Sequence, residues 1–112
     1  MTKHHRRQAL ELYEREARLC RSFGHATRIQ IIDALTKGEL RVANLQSLLA
    51  ISKANLSQHL AILKGAGLIA TRRTGKQMYC SLAAPRVAET YALLRDLIRI
   101  QLDHGRRLIA GR

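Results

Sequence analysis

The sequence predicts a mainly α fold with a small β-hairpin wing: a winged helix-turn-helix with elements in the order α-α-α-α-β-β-α. Apolar residues recur at steps of three and four over most of the chain, which is the periodicity of amphipathic helices. Residues 68–82, LIATRRTGKQMYCSL, instead form two short alternating runs around Thr74-Gly75, which predicts two strands and a turn. The last periodic segment begins at Pro85, because proline fits the first turn of a helix, where its missing N–H is not needed.

The length and charge of the chain limit its class. Its 112 residues predict one domain over residues 1–112. Twenty Lys and Arg against eight Asp and Glu give a net charge of +12. Such a charge disfavours the compact state through self-repulsion, so a polyanionic partner is the natural explanation. Charge alone leaves open nucleic acid, an anionic membrane, an acidic protein and a merely solvated basic surface.

The sequence predicts neither a membrane anchor nor export. Its apolar runs are far shorter than the roughly 20 residues that span a bilayer. The stretch MTKHHRRQ leads directly into a charged helical pattern rather than a signal peptide. We therefore expect a cytoplasmic protein without membrane contact, in which Cys20 and Cys80 are thiols.

Two predicted helices open the chain. Residues 4–21 place Leu10, Tyr13 and Cys20 on one face of an amphipathic helix. The segment RIQIIDALTKG predicts a second helix that ends at Gly38. Its inward residues are expected to be Ile29, Ile32 and Leu35.

The next two helices predict a helix-turn-helix. The segment VANLQSLLA predicts a short third helix, and Ser52 is a suitable N-cap for a fourth that ends at residues 65–67, GAG. The short connection between them is typical of this motif. The residues expected to face the core are Leu45, Leu48 and Leu49 of the third helix and Leu56, Leu60 and Leu63 of the fourth.

The outer face of the fourth helix is polar, which predicts contact with double-stranded DNA. The second helix of this motif enters the major groove, where Asn55 and Gln58 can pair with adenine and Ser57 can donate or accept. The basic wing strands are expected to contact phosphates. The predicted DNA contacts are Lys53, Asn55, Ser57, Gln58, His59, Lys64, Arg72, Arg73 and Lys76. The alternative is a polar face that is only solvated.

The last helix carries apolar residues near heptad spacing, in a stripe too wide for a lone surface helix. We therefore expect a homodimer, joined through the first and last helices, on a palindromic operator. The predicted dimerisation residues are Leu10, Tyr13, Val87, Tyr91, Leu94 and Ile98.

Four stretches resemble the ArsR/SmtB family of small bacterial repressors: GHATRIQIIDAL, GELRVANL, SKANLSQHLAILKGAGLI and RRTGKQMYCSLA. The resemblance spans roughly residues 19–97, and LSQHLAILKGAGLI is its most specific part. It implies a winged dimer, joined through its first and last helices, that releases operator DNA when an inducer binds.

The metal sites of that family are not predicted here. Its arsenic and cadmium sensors carry ELCVCDL where this chain has ELRVANL, so Arg41 and Ala43 replace both thiols. Its zinc and nickel sensors use spaced Asp and His pairs on the last helix. This chain has only Asp103 and His104, which are adjacent and point about 100° apart. We expect no metal and no cofactor.

The thiols leave two hypotheses open. Cys80 shares a strand face with Met78 and Leu82, and Cys20 lies on the apolar side of its helix, so both are expected to be buried and structural. Alternatively, Cys20 and Cys80 sense a small inducer (reactive sulfur, an oxidant or a metalloid) through a disulfide, a persulfide bridge or a metalloid site.

Two further side chains have open roles. His59 falls at the edge of the polar face of the fourth helix, where DNA contact and a hydrogen bond to a neighbouring element are equally compatible with the sequence. Arg28 opens the second helix and is expected to form a structural ion pair with Asp33 or Glu39.

The sequence as a whole predicts a sequence-specific transcriptional repressor that an inducer releases from its operator. The alternative is an architectural DNA-binding protein without inducer control. An enzyme is excluded because there is no nucleophile–base constellation, glycine-rich phosphate loop or carboxylate cluster. An RNA-binding winged helix is disfavoured because stacking aromatic residues are few.

Overall fold

The computed structural model describes the backbone of residues 2–110 and the side chains of residues 2–106. Its elements, in chain order, are α1 Lys3–Phe23, α2 Ala26–Leu35, β1 Leu40–Arg41, α3 Val42–Leu49, α4 Lys53–Gly65, β2 Ile69–Thr74, β3 Gln77–Leu82 and α5 Pro85–Ala110. The predicted order of helices and hairpin is confirmed, and β1 is an addition. No helix in this part of the chain is long and apolar enough to cross a membrane.

Local hydrogen bonds fix the start of α4 and the turn before it. The Ser52 hydroxyl accepts from the backbone N–H of Asn55 at 3.1 Å, which confirms the predicted N-cap. Ala50 ends α3 in the left-handed region at φ 53° and reverses the chain between α3 and α4. The backbone N–H of Ala50 donates to the carbonyl oxygens of Gln46 and Ser47, so the last turn of α3 is closed.

The wing is part of a three-stranded antiparallel sheet in the order β1-β3-β2. Strand β1 was not predicted because it is only two residues long, too short for a period-2 pattern. Thr74 pairs with Gln77, so the hairpin turn is Gly75-Lys76 and not the predicted Thr74-Gly75. Gly75 has φ 60°, which glycine adopts without steric cost.

One apolar core joins α2, α3, α4, the sheet and the start of α5. The inward positions predicted for α4 are confirmed, since Leu56, Leu60 and Leu63 are all buried. Leu48 is 66% exposed, so its predicted inward position is wrong. It follows the buried Leu45 by three residues, about 60° around the short helix, and so lies at the edge of the core on its solvent side.

The first and last helices extend away from this core. No residue of α1 is buried, and over residues 85–106 the buried side chains of α5 lie near its start. Val87 and Tyr91, predicted for a dimer seam, are 8% and 7% exposed and pack within the core of their own chain. Among the described side chains of these helices, the large apolar ones left exposed are Leu10, Leu12, Tyr13, Leu19, Leu93, Leu94, Leu97, Ile98, Ile100 and Leu102.

Candidate nucleic-acid interface

A cleft of about 540 Å³ separates α3 and α4 from the wing. One wall comes from the helices and the other from the hairpin. Its polar and charged lining residues are Gln46, Lys53, Ser57, Lys64, Thr71, Arg73, Lys76 and Gln77. Four of them, Lys53, Lys64, Arg73 and Lys76, are cations and none is an acid, so the cleft favours a polyanion.

The side chains of α4 that are predicted to contact bases lie in two places, the cleft and the exposed surface of the helix outside it. Ser57 lines the cleft between Lys53 and Lys64, which lie one and two turns away on the same side. Asn55 and Gln58 are also exposed, but they stand outside the cleft lining. Their side chains make no hydrogen bond within residues 2–106, so their amides are available to a ligand.

Strand β2 presents its two arginines to opposite faces of the wing. Thr71 pairs with the buried Cys80, so Thr71 and, two residues on, Arg73 share the face that borders the cleft. Arg72 lies on the other face, directly across from Tyr79, with its guanidinium 4.3 Å from the ring centroid. The predicted wing contacts Arg73 and Lys76 therefore line the cleft, and Arg72 does not.

Arg72 is also occupied by an acidic partner. Its Nε donates to Glu39 Oε2 at 2.8 Å and its second nitrogen to Glu39 Oε1 at 2.6 Å, and it donates to the Thr74 hydroxyl at 2.8 Å. This bidentate hydrogen bonding lowers the pKa of Glu39 below its ordinary value and raises the pKa of Arg72 above its own. The charge of Arg72 is thus largely compensated, which sets it apart from Arg73.

Arg28 does not form its predicted ion pair, and His59 contacts a neighbouring element. Glu39 pairs with Arg72 and Asp33 pairs with Arg95, so the predicted ion pair of Arg28 with either acid is wrong. Arg28 instead contacts His59 Nδ1 at 3.4 Å. His59 is half-buried and absent from the cleft lining, which favours the hydrogen-bond hypothesis over direct DNA contact.

The two thiols lie in different environments. Cys80 is fully buried, and burial together with Glu39 raises its pKa to about 11, so it remains a protonated thiol at neutral pH. Cys20 is exposed on α1, which corrects its predicted burial. The core position of Cys80 favours the structural hypothesis for that residue. It also separates Cys80 from the surface on which Cys20 lies.

The described residues gather no group of three or more His, Cys, Asp and Glu side chains that could hold a metal ion. Arg41 and Ala43 stand at the start of α3, where the sequence resemblance placed a thiol site. Asp103 pairs with Arg106 at 3.7 Å along α5.

Two residues that organise the wing, Glu39 and Tyr79, were not predicted as functional from the sequence. A hairpin turn at Gly75-Lys76 would have placed Tyr79 opposite Arg72, so correct turn assignment was a usable signal. Glu39 had none, because it precedes a strand too short to be recognised and meets Arg72 across 33 residues of sequence.

Comparison with known proteins identifies the fold and the family. Residues 25–71 match the arsR family of bacterial regulatory proteins. The chain is 36% identical over 88 residues to the uncharacterized HTH-type transcriptional regulator Rv0081 of Mycobacterium tuberculosis, covering 78% of this chain and 77% of that one. It is 36% identical over 70 residues to the biofilm growth-associated repressor of Agrobacterium fabrum, covering 62% and 60%.

Solved structures agree with this assignment. The crystal structure of Rv0081 superimposes with a TM-score of 0.79 at 35% identity, covering 83% of this chain and 94% of that chain. The solution structure of the homodimeric winged helix-turn-helix DNA-binding domain of Mb0332 from Mycobacterium bovis gives 0.80 at 29% identity, covering 87% and 90%. The predicted winged helix-turn-helix is therefore confirmed, and the chain belongs to the arsR family of bacterial regulatory proteins, as a transcriptional regulator and not an enzyme.

Proposed function

We propose that this regulator is a homodimeric, sequence-specific repressor that occupies a palindromic operator until a small inducer lowers its affinity. The observation that carries the proposal is the cationic cleft between α4 and the wing, in which Ser57 lies among Lys53, Lys64, Arg73 and Lys76. A duplex places its base edges and its phosphates close together, so one surface of this kind can contact both.

The proposed DNA contacts are of two kinds, contacts to base edges and contacts to phosphates. Asn55, Ser57 and Gln58 on the exposed side of α4 contact base edges in the major groove, where amides and hydroxyls distinguish base pairs. The cations of the cleft contact phosphates, which orient the protein without reading sequence. Arg72 acts indirectly, since its pairing with Glu39 and its stacking on Tyr79 stiffen the hairpin that carries Arg73.

The proposed dimer rests on the exposed apolar faces of α1 and α5. Leu93, Leu97 and Ile100 are each more than half exposed and follow one another at three- and four-residue steps on α5. A second copy would cover them, as exposed apolar stripes of this width require. The Mb0332 domain, similar in fold, is described as homodimeric. In a two-fold dimer the α4 helices would lie roughly 34 Å apart, one helical turn of DNA.

Repression is proposed because several similar proteins carry that name. Besides the biofilm growth-associated repressor, a probable mercury resistance operon repressor of Streptomyces lividans is 33% identical over 81 residues, covering 72% of this chain and 65% of that one. The proposed inducer is thiol-reactive (reactive sulfur, an oxidant or a metalloid) and acts at Cys20, which lies on α1 where the second copy would pack. Cys80 is not expected to take part because it is buried.

The test begins with a duplex selected from a random library by the wild-type protein. Its affinity is compared with that of a scrambled duplex at one salt concentration. Ser57→Ala and Gln58→Ala should each lose about 1–3 kcal/mol on the selected duplex and much less on the scrambled one. Thr90→Ala, which removes an exposed hydroxyl on α5, is the matched control and should change neither affinity.

Two outcomes would contradict the proposal. Equal losses on both duplexes would show that α4 does not read bases. A wild-type ratio near unity would support the architectural DNA-binding protein, which the net charge of +12 also favours.

A further inference from the structure

We infer that Arg28 and His59 form a positioning pair that ties α4 to the C-terminal end of α1, and that this pair acts only while His59 is neutral. The inference deepens the proposed function and rests on it, because α4 is the proposed recognition helix and α1 belongs to the proposed dimer surface. Neither residue is placed in direct contact with DNA.

The guanidinium of Arg28 links three segments. Its Nε donates to the Ser22 carbonyl at 2.7 Å and one terminal nitrogen donates to the Arg21 carbonyl at 3.1 Å. These carbonyls belong to the last turn of α1, where a helix has no further turn to supply donors. The Arg21 carbonyl also accepts from the backbone N–H of Gly24 at 3.0 Å. The other terminal nitrogen meets His59 Nδ1 at 3.4 Å. A single half-buried side chain of α2 thus connects the end of α1 to α4.

A hydrogen bond between Arg28 and His59 sets a condition on the protonation state of His59. An arginine nitrogen only donates, so His59 Nδ1 must accept, and the ring must be neutral with its proton on Nε2. The ring of His25 lies 4.6 Å from that of His59, centroid to centroid, and its own Nδ1 accepts from the backbone N–H of Thr27 at the start of α2. His25 therefore packs its ring against the His59 ring, while its Nδ1 is already used by Thr27.

The groups that face His59 all oppose a positive charge on it. Arg28 approaches from α2, and His25 approaches from the residue before α2. Burial, followed by the charges of His25 and Arg28, lowers the pKa of His59 below its ordinary value of 6.5. This lowered pKa agrees with the geometry, because a proton on Nδ1 of His59 would point an N–H group at the guanidinium of Arg28.

Acidification should therefore release α4 from the position in which Arg28 and His59 hold it against α1. Since the pKa of His59 is lowered in the folded chain, its stabilising contribution is present at neutral pH and is lost as pH falls below 6.5 and through the lowered pKa. A charged His59 separates from Arg28, and α4 loses its link to α1. A dimer that must place two α4 helices in successive grooves then binds less tightly.

A direct DNA contact by His59 would have the opposite sign. A protonated histidine beside a phosphate gains affinity, so binding would strengthen on acidification. The two roles can therefore be separated by pH alone, provided that the other histidines are controlled for.

The experiment compares wild type with His59→Asn on the selected duplex, from pH 7.5 to about pH 5.5 at constant salt. Asparagine keeps an acceptor near the place of Nδ1 and does not titrate. We expect equal affinities at pH 7.5. Below the pKa of His59, wild type should lose up to about tenfold per pH unit for each protomer relative to the variant, or about 100-fold per pH unit for a dimer with two coupled protons. Parallel pH profiles, or a wild type that gains affinity relative to the variant, would overturn the inference.

A second measurement needs no DNA and so separates this inference from the proposed function. NMR titration of the His59 ring protons in the free protein should give a pKa below 6.5. Arg28→Gln should raise that pKa, and so should His25→Asn, which keeps an N-cap acceptor before α2. A His59 pKa that is unchanged in both variants would refute the cluster, whatever the outcome with DNA.

Discussion

Arg72 and Arg73 are neighbours on β2, yet their replacement should affect DNA binding differently. Arg73 borders the cleft, whereas Arg72 lies on the other face of the wing in a bidentate pair with Glu39. Each phosphate contact contributes about 0.9 to the slope of log affinity against log salt. A dimer has two wings, so Arg73→Ala should reduce the magnitude of the slope by about 1.8. Arg72→Ala should leave the slope unchanged.

The difference is large enough to measure by fluorescence anisotropy. Between about 50 and 200 mM salt, a slope change of about 1.8 makes wild type lose about 12-fold more affinity than Arg73→Ala. Arg86→Ala is the control for net charge, since Arg86 is exposed on α5 and outside the cleft. A slope that falls as much for Arg72→Ala as for Arg73→Ala would refute the assignment of the two wing faces. An unchanged slope for Arg73→Ala would remove the wing from the interface.

Three further variants test the core, the dimer and the thiols. Leu63→Ala should lower the free energy of unfolding by about 2–5 kcal/mol in urea denaturation, because Leu63 is fully buried and the change leaves a cavity; a loss under about 1 kcal/mol would contradict that burial. Leu97→Asp, at a half-exposed apolar position on α5, should give a folded monomer with weak operator affinity in sedimentation, and a stable dimer would contradict the proposed seam. Cys20 should react with a thiol reagent at neutral pH while Cys80, with a pKa of about 11, stays protected in the folded chain, as mass spectrometry would show. If the reagent lowers operator affinity equally in wild type and in Cys20→Ser, the proposed inducer site is wrong.

The sequence determined the helices, the N-cap at Ser52 and the inward face of α4. These features depend on residues that are close in the chain, and helical periodicity places Leu56, Leu60 and Leu63 on one side wherever the helix packs. The polar side of α4 was therefore predictable, and so was its basic neighbour, the hairpin.

Tertiary structure alone decided which part of the wide apolar arc on α5 faces its own domain. The same stripe carries Val87, Tyr91 and Leu94, and periodicity treats the three alike. The first two are buried because the core extends only along the start of α5, while Leu94 lies beyond it and is 38% exposed. When a helix is apolar over much of its circumference, its sequence does not indicate how far along it the core of the domain extends.

Tertiary structure also decided the partners of the charged side chains. Arg72 meets Glu39 across 33 residues and Arg28 meets His59 across 31. A basic side chain reaches many acceptors, so its type and spacing do not select one; the packing of α2 against α4 and of β1 against the hairpin does. Sequence therefore identified which faces carry charge, and the fold assigned Arg73 to the cleft, Arg72 to Glu39 and Arg28 to His59.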